Sequence, residues 1–192
     1  MRLVLIRHAE TLWNREGRLQ GTADSPLTSE GSEQARHLGP AMSSLAIEHA
    51  LTSDLSRARA TAELAGLGSA TPDSAWREAD LGDWTGQLVT DIPDEAFRAW
   101  RRGELSPPNG EGHDQVRERV ADALARLDGR NTAVVTHGGT IRAVLDVWLG
   151  LAPTMLGPAT PGSITVLERT SRVRLMAYNL GPSLLADVRE LA

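Results

Sequence analysis

The chain has 192 residues, 41% of them hydrophobic and 23% charged, the balance of a globular domain able to bury a core. Its 20 basic and 25 acidic residues leave a formal charge of −5, and aromatic residues are only 4%, which argues against a basic nucleic-acid footprint or a base-stacking platform. Cysteine and lysine are both absent, so all 20 basic side chains are arginine, which excludes disulfides, thiolate chemistry, a Walker-type phosphate loop and a Schiff-base lysine.

Leu3–Ile6 is a continuous aliphatic run ending at Arg7-His8, the signature of a buried central strand. Residues 28–46 carry a helical pattern opened by Thr28 or Ser29, and His49–Thr52 reads as a second strand. Ser53 or Asp54 is expected to cap a helix carrying Leu55, Ala58, Ala62 and Ala65, which stops near Gly66 and Gly68. From about residue 72 to residue 112 the pattern breaks into short pieces around Trp76, Trp84, Trp100 and several prolines, an insertion or lid with one helix over Asp94–Arg101. A helix follows over about 114–127, then a buried strand over 131–136 ending at His137, and a helix over Ile141–Leu149. Two more strands are expected at Ser163–Glu168 and Val173–Tyr178. Strands alternating with helices predict one domain over 1–192: a three-layer α/β/α sandwich with a mainly parallel central sheet and room for an antiparallel edge strand. The Leu3–Ile6 run is too short for a signal peptide or a membrane span, and no later stretch reaches ~18 uncharged apolar residues, so a cytoplasmic protein without membrane contact is expected.

Three segments share one anatomy. Arg7-His8 and His137-Gly138-Gly139 each follow a buried strand, and Arg57 lies in the first turns of a helix after a strand. Ligands of open α/β sheets bind beyond the carboxyl ends of the strands, so Arg7, His8, Arg57 and His137 can share one crevice there. Forked guanidinium donors and helix N-termini suit a phosphate dianion. A neutral imidazole is a competent nucleophile toward phosphorus, and neighbouring guanidinium charges favour the neutral form. No His-Glu-x-x-His or similar spacing points to a metal, and none is expected.

These residues stand in a longer pattern. Leu5-Ile6-Arg7-His8-Ala9-Glu10-Thr11 continues through Trp13-Asn14, Arg18 and Gln20-Gly21, and then Leu27-Thr28, Gly31 and Gln34-Ala35. Ser53-Asp54-Leu55 with Arg57-Ala58, Trp76-Arg77-Glu78 with Leu81-Gly82-Asp83-Trp84, Pro108-Asn109-Gly110-Glu111 and Thr136-His137-Gly138-Gly139 with Ile141-Arg142 follow in order. In this the chain resembles the histidine phosphatase superfamily, the phosphoglycerate-mutase-like proteins, and its small phosphatase branch in particular.

The resemblance implies roles. His8 would accept the phosphoryl group, and Arg7, Arg57 and His137 would complete the phosphate pocket. Asn14, Gln20, Gly21 and Gly138 would lie around phosphate or substrate, and Glu78 would be the general acid and then the base. It further implies a metal- and cofactor-independent phosphomonoester hydrolase acting on a small phosphorylated metabolite. The rivals are a phosphoglycerate mutase and a non-catalytic phosphate-binding domain. The mutases of this resemblance are longer and carry additional lysine, tyrosine and paired-arginine contacts in the insertion.

Several residues have competing readings. Asp80 and Asp83 are near enough to Glu78 to compete for the acid role. Ala9 replaces the family's usual glycine, which matters if the backbone needs a positive φ there. His37, His49 and His113 are read as structural or solvated, Arg142 as an ion-pair partner, and Arg101-Arg102 as a solvated helix end that can also attract an anion. Arg18 either joins the pocket or pairs with a nearby Glu. Trp84 is the tryptophan expected on the pocket wall. The partner is a small-molecule phosphate ester; a homodimer is compatible with the sequence.

Overall fold

A computed structural model describes residues 1–181. The apolar run of β1 (Arg2–Arg7) pairs in parallel with β4 (Thr132–Thr136), Leu3 facing Thr132 and Ile6 facing Val135. β2 (His49–Thr52) lies on the other side of β4, and the two-residue β3 (Thr71–Pro72) lies beyond it, both also parallel. On β1's free side β5 (Ile164–Arg169) runs antiparallel, and β6 (Val173–Leu180) pairs antiparallel with β5. The sheet order is β3-β2-β4-β1-β5-β6. The expected mainly parallel sheet is therefore present, with the reversed strand one place in from the edge.

Alternation along the central strands divides the core into two. Leu3, Leu5, Val134 and Leu167 face one side, where α5 (His113–Ala125) and α6 (Gly138–Leu149) pack. Val4, Ile6, Ala133 and Val135 face the other, against α2 (Ser29–Ser44) and α3 (Ser56–Leu64). Each such side chain contributes about 1.5–3 kcal/mol on leaving water, so a strand buried on both faces tolerates no polar register slip. This is the three-layer α/β sandwich.

Local chemistry sets most boundaries. Thr28 caps α2, its hydroxyl accepting from the Gly31 N–H at 2.8 Å. A short helix unmarked in the sequence reading, α1 (Leu12–Glu16), follows β1; Thr11 and Asn14 form a capping box and Gly17 ends it at a φ of 72°. The cap expected for α3 is corrected. Neither Ser53 nor Asp54 caps it; Asp24, from the loop after α1, receives the Ser56 N–H at 2.8 Å and the Arg57 N–H at 3.4 Å. Asp54 instead pairs with Arg77, both at 2.6 Å across a two-bond fork. The last long helix begins at Gly138, three residues before its expected start, with His137 as its N-cap residue.

The segment 72–112 crosses the α5–α6 side as three 3₁₀ turns (Ser74–Trp76, Gly82–Trp84, Val89–Asp91) and α4 (Asp94–Arg101). It is pinned by close backbone contact: Gly82 has a φ of 49°, and a Cβ there would lie 2.1 Å from the Pro108 carbonyl oxygen. Trp76 is fully buried beneath it. Among the described residues no helix is long and apolar enough to cross a membrane.

Candidate active site

Three adjacent strands, β2, β4 and β1, end side by side, and their ladders extend one residue further. The Ser53 N–H donates to the Val135 carbonyl at 2.8 Å and the His8 N–H to the Thr136 carbonyl at 2.9 Å. Ser53, His137 and His8 are thereby set in a row at the carboxyl edge, all buried. The two imidazole centroids are 5.2 Å apart.

Each ring is held in a defined way. His8 Nδ1 lies 2.9 Å from the Ala9 carbonyl oxygen. A carbonyl only accepts, so the proton sits on Nδ1 and the Nε2 lone pair is free. Burial, then the charges of Arg57 and Arg7, hold the His8 pKa well below the ordinary imidazole value. Burial also holds His137 well below it, with Arg57 adding to the effect. Its Nε2 is 2.8 Å from Ser53 Oγ, while its Nδ1 has no protein partner. Ser53 Oγ already accepts from the Leu55 N–H at 3.3 Å, so its hydroxyl proton is available to donate to Nε2 and leave an N–H on Nδ1.

The arginines are anchored on one side and unsatisfied on the other. Arg57 donates to the Gly21 and Ala23 carbonyls, each at 2.7 Å, and to Asp24 at 3.2 Å. Arg7 donates to the Ala159 carbonyl at 2.5 Å. Both Nε atoms are buried without a partner, and burial lowers both guanidinium pKa values. Among the described residues seven buried side-chain polar atoms lack a protein partner, and Arg7, Arg57, Gln20 and Arg142, which own four of them, all line one cavity of about 290 Å³. Buried polar atoms are rarely left unpaired, so the three guanidinium N–H donors mark where a ligand's acceptors belong, and Gln20 Oε1 calls for a donor.

His8, Asn14, Gly21, Glu78 and Gly138 line the same cavity; His137 is not among its lining residues, but its ring centroid is 5.2 Å from that of His8. Glu78 is held by two backbone amides, Ala79 N–H and Gly139 N–H, each at 3.0 Å. Gly139 has to be glycine for this: a Cβ there would come within 2.2 Å of Glu78 Oε1. Neither rival carboxylate lines the cavity. Asp80 receives the Gly82 N–H and Asp83 the Asn109 side-chain amide. Ala9 does not take a positive φ, so alanine fits its backbone. No group of three His, Asp or Glu among the described residues is arranged to hold a metal ion.

Other readings are corrected or split. Among the described residues Arg142 has no ion-pair partner; it lines the cavity, its Nη1 has no hydrogen-bond partner among them, and its pKa is lowered by burial. Arg101 and Arg102 part company. Arg101 lines the cavity, its pKa pushed down to about 10 by burial and by Arg142, whereas Arg102 points outward to Glu95 and Glu104. Arg18 does both things asked of it, lining the cavity while pairing with Glu16 at 2.8 Å. The tryptophan on the wall is Trp100, and Trp84 stacks edge-on behind it at 6.0 Å. His113 is half-buried and bonds Asp146 at 3.2 Å, in keeping with a structural role, and it also borders the cavity. Ser53, Arg142 and His113 were not marked as site residues by their sequence context.

Comparison with known proteins agrees with this geometry. Residues 3–179 match the family model of the histidine phosphatase superfamily, branch 1, and the chain belongs to that family. It is 35% identical over 164 residues to a Salmonella arizonae protein named probable phosphoglycerate mutase GpmB, covering 79% of this chain and 76% of that one. TTHB049 from Thermus thermophilus superposes with a TM-score of 0.78 at 42% identity, over 91% of this chain and 98% of the other. A mycobacterial glucosyl-3-phosphoglycerate phosphatase, solved in a complex with VO3, superposes with a TM-score of 0.83 at 32% identity, over 93% and 98% of the two chains.

Proposed function

We propose that this protein is a phosphomonoester hydrolase that works through a phosphohistidine on His8, acting on a small phosphorylated metabolite. The observation that carries the proposal is the unpaired His8 Nε2 in a cavity lined by Arg7, Arg57 and Arg142, each of which keeps one buried N–H group without an acceptor. The lone pair on Nε2 attacks phosphorus as the ester P–O bond breaks, and Arg7, Arg57 and the Nδ1–H of His137 take up the charge on the non-bridging oxygens. Glu78, in its carboxylic acid form, gives its proton to the departing alkoxide. In the second half it takes a proton from water, whose oxygen attacks phosphorus; the N–P bond breaks and inorganic phosphate leaves with His8 restored. Asn14, Gln20, Gly21 and Gly138 border the phosphate and the ester oxygen. A cavity of about 290 Å³ is metabolite-sized, at the small end of the ~300–1,000 Å³ typical of ligand pockets. No step calls on a metal or cofactor.

Return of the phosphoryl group to a second position of the same substrate is the alternative chemistry of such an intermediate, and the name of the Salmonella relative favours it. The absence of lysine from the chain favours hydrolysis, since the longer mutases use one in their insertion. The test is turnover of phosphomonoesters with acid quenching. An acid-labile phosphoenzyme that appears in the wild type and is lost in His8→Ala, with turnover down by at least about 10⁴-fold, is the expected result. Release of inorganic phosphate from phosphoglycerate without isomer exchange selects hydrolysis; exchange without release selects the mutase. Equal turnover in wild type and His8→Ala would overturn the reading and leave a phosphate-binding domain.

A further inference from the structure

Beyond its phosphate end the cavity changes character. Val89, Phe97, Trp100, Leu105 and Val116 form its outer wall, and all five come from the 72–112 insertion or from α5, which follows it. Their placement follows from the sequence of α4. Phe97 and Trp100 share one helix face, while Asp94, Glu95, Arg98 and Arg102 lie exposed and engage one another in ion pairs. The Phe97 and Trp100 rings meet at 5.4 Å with 50° between their planes, and buried Trp84 braces Trp100 from behind. Both residues are half-buried and both line the cavity. The unpartnered buried polar atoms of the cavity belong to Arg7, Gln20, Arg57 and Arg142; none belongs to this wall.

The wall is also tied to the proposed acid. Glu111, two residues before α5, receives the Asp80 N–H at 2.9 Å and gives its own N–H to the Asp80 carbonyl at 2.8 Å. The stretch of chain that carries Glu78 is thus tied to the end of the insertion, and the proposed acid and the apolar wall line the same cavity.

We propose that the insertion face of Phe97, Trp100 and Leu105 is a leaving-group subsite for an alcohol with an apolar, ring-sized body, so that the preferred substrates are phosphate monoesters of such alcohols. The proposal rests on the phosphomonoesterase reading above. Burying a ring against this wall strengthens binding of ground and transition states alike, so the preference falls mainly in KM.

The test compares 2-phenylethyl phosphate with ethyl phosphate, two primary alkyl esters whose leaving alcohols differ little in acidity. A ratio of about thirty in kcat/KM is expected for the wild type, carried mainly by KM. Trp100→Ala and Phe97→Ala should lower that ratio to about three, and Trp100→Phe should restore most of it. Leu105→Asn, at a half-buried loop position, replaces Trp100→Ala if the latter does not fold. Calorimetric titration of His8→Ala protein with the same two esters reads the subsite without turnover and should give a similar ratio of affinities. Turnover of both esters with a wild-type ratio below ten overturns the subsite and leaves the hydrolase standing. Tighter binding of the phenylethyl ester without turnover keeps the subsite and overturns the hydrolase. A binding ratio below ten, or no binding of either ester, overturns the subsite.

Discussion

The inner end of the cavity stands on the tips of three neighbouring strands, whereas its outer end is walled by the segment 72–112, which contributes no strand to the central sheet beyond its first residue. At the inner end each functional group is fixed by the backbone of a buried element: His8 by β1, His137 by β4, Ser53 by β2. At the outer end the groups are fixed by one another, through ring stacking, the Glu111–Asp80 bonds and the Gly82–Pro108 contact. The contrast separates chemistry from selectivity. Strand ends tolerate little displacement and suit bond breaking, while an insertion held by side chains can be redrawn without disturbing the sheet.

Four measurements bear on that division. Glu78 joins the two ends, and Glu78→Gln should lower kcat by about 10²–10⁴-fold for alkyl esters. The loss should shrink for p-nitrophenyl phosphate, whose leaving anion needs no proton; an equal loss for both substrates would take the acid role from Glu78.

The next effect concerns the buried imidazoles. Both His8 and His137 titrate well below the ordinary value near 6.5, so below that pH the unfolded chain binds protons that the folded one does not. Stability is full above about pH 6.5 and falls as the pH drops beneath it, by at most about tenfold in the folding constant per pH unit for each imidazole. Urea unfolding at pH 7.5 and 5.5 measures this, and the His8→Asn, His137→Asn double variant should show a much flatter profile.

Ser53→Ala tests the inner row directly. It removes the hydroxyl that fixes the His137 tautomer, and about a tenfold loss in kcat/KM is expected, with about 1 kcal/mol of stability. Steady-state kinetics that stay at wild-type values would show that Ser53 does not orient the ring.

The smallest effects come from two neighbours at the end of α4, of which Arg101 is close enough to Arg142, Glu78 and Arg7 to feel their charges. Arg101→Ala should weaken inhibition by inorganic phosphate by about three- to tenfold, because Arg101 borders the cavity. Arg102→Ala should leave that inhibition unchanged and alter stability by less than about 0.5 kcal/mol, its ion pairs being on the surface.

How much of this was legible in the sequence follows the same division. The inner end was readable because each of its parts is local. A hydrophobic run followed by Arg7-His8, another followed by His137-Gly138-Gly139, and an Arg in a helix after a strand place themselves at the carboxyl edge of a sheet. Where the sequence misled, a contact came from far along the chain. Asp24 caps α3 from 32 residues away, which left Ser53 and Asp54 looking like caps. Arg142 sits at an ordinary helical position, and only the fold turns that face of α6 toward Glu78 and Arg101. The exchange of Trp84 for Trp100 on the wall has the same origin, since which of two stacked rings faces a cavity is decided by packing. Gly138 and Gly139 do open α6, although its regular pattern is readable only from Ile141, and the missing side chain at Gly139 lets Glu78 approach its amide.

The pairing of β1 with β4 has a consequence for how this molecule comes to life. Asn131 receives the Arg2 N–H across 129 residues, and His137 joins His8 only when the strand after Asn131 has slid in beside the chain's opening residues. Parallel pairing at such separation is slow to find, because the intervening loop must be closed first. His8 is therefore made long before His137, and the row of Ser53, His137 and His8 exists only once β4 has closed onto β1, so ligand binding at that row would report the closing of the sheet.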